Sequence, residues 1–169
     1  MPTGLKQSSS VVSIGFSATE AVAGTVGQTA VDLNLSPLDR EVFVVLAINL
    51  DSVVPELIPG VNTNVKTGLT TTRQTGMPQL SDANCLGRLT QSIRSSGPGE
   101  AVSFASGALE TPPSGLDYIG IIATSDFFVQ VQGTNNVGLS SATGKMYGYR
   151  ATASADIFAA LVQSEVLSA

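Results

Sequence analysis

Eight stretches of strand-forming residues, each closed off by Gly, Pro, Asn, Asp or Ser, divide the chain, and that rhythm constrains the fold more than any other feature. They are SSVVSIGF (9–16), TAVDLNL (29–35), REVFVVLAINL (40–50), NVKTGLTTTRQT (64–75), EAVSFAS (100–106), LDYIGIIAT (116–124), DFFVQVQG (126–133) and KMYGYRATA (145–153). Turn chemistry falls between them at Ser36-Pro37-Leu38-Asp39, Pro55 to Gly60, Gly97-Pro98-Gly99, Pro112-Pro113-Ser114-Gly115 and Gly133-Thr134-Asn135-Asn136. Short strands at this spacing predict an all-β sandwich or barrel.

Periodicity assigns faces. In TAVDLNL, Val31, Leu33 and Leu35 share one side and Asp32 and Asn34 the other, the pattern of a half-buried strand. REVFVVLAINL is apolar at nearly every position from Val42 to Ile48, which fits a central strand covered on both faces. Thr63, Thr67, Thr70, Thr71, Thr72 and Thr75 give the next segment a hydroxyl-rich outer face, either an ordinary exposed strand or a row of partners for a second subunit. The most apolar stretch, IGIIATSDFFVQVQG (119–133), is interrupted at Thr124-Ser125-Asp126 and falls short of the roughly twenty apolar residues of a membrane helix. It reads as two strands meeting at a tight turn, with Ile119, Ile121 and Ala123 on one face. Beyond Asp126, Phe127, Val129 and Val131 share a face and Phe128, Gln130 and Gln132 the other. Phe43, Val45, Ile119, Ile121 and Phe128 are the expected core.

Two helices are indicated. Residues 154–167, within SADIFAALVQSEVLSA, place Ser154 as a cap, Asp156 in the first turn, and Ile157, Leu161, Val162 and Val166 along one stripe. This helix must dock, on its own barrel or on a neighbouring subunit. LSDANCLGRLTQSI offers a weaker, short helix capped by Ser81, with Leu86, Leu89 and Ile93 on one side and Gly87 against it.

A chain of 169 residues fits one domain spanning 1–169. Only 12% of its residues are charged, its net charge is −5, and Ser, Thr and Gly number 20, 16 and 17, so its surface is neutral and hydroxyl-rich. Such a surface suits a protein covered by neighbours better than a lone monomer. Eight scattered Lys and Arg do not form a phosphate-binding patch, so no nucleic-acid contact is expected. The single cysteine, Cys85, excludes an internal disulfide and reads as a small buried hydrophobe. VVSIGFSATEAVAG is broken by Glu20 and lacks a basic lead, so synthesis without a signal peptide is expected. The sequon Asn34-Leu35-Ser36 is followed by Pro37 and makes an indifferent acceptor.

Histidine is absent, which removes Ser-His-Asp and Cys-His catalysis and the commonest metal ligand. Two carboxylate pairs, Asp117 with Asp126 and Asp39 with Glu41, have the residue type for glycoside hydrolysis, but they sit at strand ends in a chain without Trp. A carbohydrate-binding sandwich would have Tyr118, Tyr147 and Tyr149 for stacking, the last two on one strand face. The chain is therefore expected not to be an enzyme, with no catalytic, cofactor-binding or metal-ligating residue, no cofactor and no small-molecule substrate.

REVFVVLAINL, TGLTTTRQTG with the following LSDANCLG, and LDYIGIIATSDFFVQVQG, together with the low-charge surface and terminal helix, resemble the single jelly-roll capsid proteins of icosahedral viruses. The resemblance implies one jelly-roll β-barrel of about eight strands with a C-terminal α-helix. It implies a virion protein made in the host cytoplasm that assembles with copies of itself, or with a second capsid protein, into a shell. The acidic balance and the lack of a basic arm are similar to capsid proteins of bacterial or archaeal viruses whose shell encloses a membrane or a separately packaged genome. A lectin-like or adhesive β-sandwich and a pilus or surface-layer subunit are the alternatives.

Overall fold

The structure, a computed structural model, describes residues 3–108 and 115–168. Among them ten strands run in order: β1 (Leu5–Gln7), β2 (Val12–Thr19), β3 (Gly27–Asp32), β4 (Glu41–Ser52), β5 (Thr63–Thr70), β6 (Cys85–Gly97), β7 (Glu100–Ala108), β8 (Gly120–Ile122), β9 (Asp126–Thr134) and β10 (Ser141–Ala153). Helix α1 (Ala155–Leu167) follows. In one sheet, β1 and β2 lie along the same edge of β10, followed by β4 and β8; the other runs β3-β9-β5-β6-β7. The antiparallel pairs nest, β2 with β10, β3 with β9, β4 with β8 and β5 with β6. A single long ribbon is thus doubled back at β5–β6 and rolled so that its strands fall into two sheets. That order is a jelly roll, as the sequence suggests, with β1 and β6 added to the eight expected strands. Of the turn at 112–115, only Gly115 lies within the described residues.

The two sheets enclose Phe16, Phe43, Val45, Ile48, Val65, Leu69, Leu86, Ile122, Phe127, Val129, Val131 and Met146. Phe16 and Phe127 meet edge to face with centroids 5.7 Å apart, a favoured aromatic geometry. Phe43 and Val45 are core residues as expected, and Ile119 packs half-buried against them. Ile121 and Phe128 depart from expectation: Ile121 lies on the opposite face beneath α1, and Phe128 lies outside the second sheet, 5.7 Å below the Arg73 guanidinium. Strict alternation from the fully buried Phe127 requires that outward position for Phe128. Moreover, β8 and β9 do not pair with each other; β8 joins β4 while β9 joins β3 and β5, so Thr124-Ser125 crosses between sheets.

Bulges explain two misleading spacings. Opposite Leu69 and Thr70, β6 offers Gly87 and then Cys85, skipping Leu86. The extra residue turns Leu86 into the core, so Leu86, Leu89 and Ile93 acquire helix-like spacing within a strand. The expected short helix is therefore β6. A second shift, at Tyr147/Gly148, skips Leu46 on β4, so inward positions run Phe43, Val45, Ile48.

The apolar run of β4 is covered on both sides. Val42 and Val44 face away from the main core and form a second cluster with Leu5, Tyr149 and Ala151, beneath Ile157, Phe158, Leu161 and Val162 of α1. The helix docks on its own barrel, while Val166 is exposed. Ser154 occupies the N-cap in extended conformation but makes no side-chain cap; its carbonyl accepts from Phe158 N at 2.9 Å. The far end of α1 is fastened by Glu165, whose carboxylate accepts from Ala123 N at 2.8 Å and Thr124 N at 2.9 Å. Burial outweighs these bonds and raises the Glu165 pKa. A raised folded-state pKa favours folding fully below the unfolded value of about 4.3 and loses that contribution as pH climbs through the folded value. The stability of the native protein relative to Glu165→Gln should therefore decline as pH rises from about 4.3, as read by urea denaturation; a rising difference would contradict this. No described helix is long and apolar enough to cross a membrane.

Candidate functional site

The Thr-rich segment is turned inward. Thr63 and Thr67 are buried, and Thr70 Oγ1 accepts from Gln130 Nε2 at 2.7 Å while donating to Thr72 O at 2.7 Å. Gln130 also donates to Gln28 Oε1 at 2.9 Å, and Gln28 exchanges bonds with the Gln74 backbone. Asn84 completes the network by donating to Thr72 Oγ1 at 2.5 Å. Residues 71–84 thus lie across the outer side of β5 and β9, where Gly68 leaves room for the Pro78 ring. Of the six threonines only Thr75 is exposed, so they form no row facing a second subunit. With α1 over the first sheet and this segment over the second, interaction surface remains at the loop ends and sheet edges.

Three loops, β2–β3, β4–β5 and β9–β10, meet at one end and are joined by carboxylates. Glu20 is buried; Oε1 accepts from Gly133 N at 2.8 Å and Gly24 N at 3.1 Å, and Oε2 from Ser140 N at 2.6 Å. Glu56 accepts from Val137 N and Gly138 N, both at 2.8 Å, and these donors hold its carboxyl below the usual range. Asn136 bridges the same loops, accepting from Glu56 N and donating to Asn64 O, both at 2.9 Å. These acids serve as loop fasteners. The end they hold presents exposed Val22, Val53, Val54, Leu57, Val137 and Leu139.

Of the two carboxylate pairs, Asp39 and Glu41 are engaged with the turn at Ser36. Asp39 accepts from Ser36 Oγ at 2.8 Å and Glu41 from Ser36 N at 3.0 Å, organising the turn before β4, and Arg150 lies 3.6 Å from Glu41. Asp126 opens β9, while Asp117 precedes β8. Tyr149 is buried beneath α1 and Tyr147 is half-buried, so the pair forms no open stacking platform. Cys85 is half-buried instead of buried, its thiol pushed up first by desolvation. No group of three potential metal ligands occurs among the described residues.

The second open region is β7. Glu100–Gly107 are exposed throughout, β6 is the only paired neighbour among the described residues, and the Arg94 guanidinium lies 5.8 Å from the Phe104 ring centre. A groove of about 310 Å³ beside it is lined by Val54, Ile93, Ser103, Phe104 and Ala105, linking the strand to the loop end through Val54.

No family model matches the sequence, and no curated protein matches it. Among solved structures the chain is similar to one titled Desmodium yellow mottle tymovirus, at 12% identity over 92% of this chain and 95% of that chain, with a TM-score of 0.32. At that score the likeness adds nothing to what the strand order shows.

Proposed function

We propose that the chain is a structural, non-enzymatic virion protein: a capsid subunit that assembles with copies of itself into a closed icosahedral shell. The observation that carries this reading is a jelly roll whose central sheet faces are closed by its own chain while a largely apolar loop end and, among the described residues, the outer edge of β7 stay open. Closed symmetry multiplies such weak neutral contacts into a stable assembly. The carbohydrate-binding alternative has lost its stacking platform to the burial of Tyr149.

Neutral interfaces make association insensitive to salt. In light scattering after size exclusion, the mass should rise in discrete steps with concentration. It should persist to about 1 M salt, where the screening length is about 3 Å. A single-chain mass at every concentration contradicts the proposal.

A further inference from the structure

We infer that β7 is an assembly strand that pairs antiparallel with β7 of a second copy about a two-fold axis through Ser103. This deepens the shell reading and rests on it for the identity of the partner. An open edge presents unpaired N–H and C=O groups, and proteins usually guard it with charge, proline, a bulge or short length. Of the other edge strands, β1 and β8 are three residues long, β3 ends in Asp32, and the eight-residue β2 is anchored by Phe16 and Ala18 in the core. By contrast, β7 runs for nine residues with one charge, Glu100, and no proline.

Its sequence is self-complementary. A two-fold axis perpendicular to the sheet keeps every side chain on its own face, so it must pass through a residue. Centred on Ser103, it sets Val102 opposite the second copy's Phe104, Phe104 opposite its Val102, Ala101 opposite its Ala105, and Glu100 opposite its Ser106. Val102 and Phe104 are 67% and 47% exposed, so both copies gain a β-branched–aromatic cross-strand pair on the outer face. The two Glu100 carboxylates fall six positions apart, about 20 Å and beyond the screening length in physiological salt. A centre on Phe104 instead would oppose the two rings and set Val102 against Ser106, losing the mixed apolar pairs.

Cysteine placement tests the axis. Facing Cα atoms in an antiparallel pair are about 4.5–5.5 Å apart, within disulfide reach. In a Cys85→Ser background, Ser103→Cys should oxidise to a covalent dimer while Ser106→Cys does not. Ser103→Lys, folded by circular dichroism, should weaken association at least tenfold. Absence of the Ser103→Cys dimer, or equal cross-linking at both positions, overturns the inference. Shells built by Ser103→Lys at wild-type concentration sink it and leave the shell reading standing; selective Ser103→Cys dimers that never form particles support it and sink the shell reading.

Discussion

Glu20→Ala should cost about 3–5 kcal/mol of folding stability, because three backbone donors lose their acceptor and each buried unsatisfied group costs about 1–3 kcal/mol. The donors are Gly24 N, Gly133 N and Ser140 N, and the carboxylate that meets them is 2% exposed. Water has little access to replace it. Urea denaturation should show a lower midpoint at unchanged slope, and Glu56→Ala, on a half-buried residue, should shift it far less. A Glu20→Ala loss below about 1 kcal/mol would mean the loops hold without the carboxylate, against the buried-donor estimate.

Phe127→Ala should be of similar severity, about 3–5 kcal/mol, because it empties a fully buried ring site between the sheets. The ring stacks edge to face on Phe16 and is flanked in the core by Val129 and Val131. Phe128→Ala, one residue along, removes a ring that is 8% exposed beneath Arg73 on the outer side of the second sheet and outside the inter-sheet cluster, and its loss should be smaller. Because a one-residue slip exchanges the two faces of a strand, the pair of variants measures the register of β9 directly. Equal losses, or a larger one for Phe128→Ala, would contradict that register.

Where the chain alternates without interruption, the sequence reveals the fold well: Phe127, Val129 and Val131 lie together in the core. The double-sided run of β4 is equally readable, because apolar residues on both faces need cover on both faces and α1 supplies one of them. Bulges defeat the same reasoning. Leu86 skips a register position, and the resulting three- and four-residue spacing imitates a helix until the pairing with β5 is known. Strand ends escape the sequence pattern where a local bond overrides propensity. TAVDLNL stops at Asp32 because its carboxylate accepts from Asn34 N at 2.7 Å and Asn34 turns to a φ of 50°. The loop fasteners left no trace in sequence, since Glu20 finds Gly133 and Ser140 at separations of 113 and 120 residues. The open surface is hidden from the sequence for a related reason. Thr70 looks solvent-facing until residues 71–84 fold over it, and that fold depends on Gly68 admitting Pro78.

Electron cryo-microscopy of the purified protein at assembly concentration puts the self-assembling shell subunit to the most direct test. Closed particles with icosahedral symmetry are predicted, built from jelly rolls whose loop ends and β7 edges lie in subunit contacts while α1 stays on its own barrel. A field of single jelly rolls, or open fibres without closure, would contradict it.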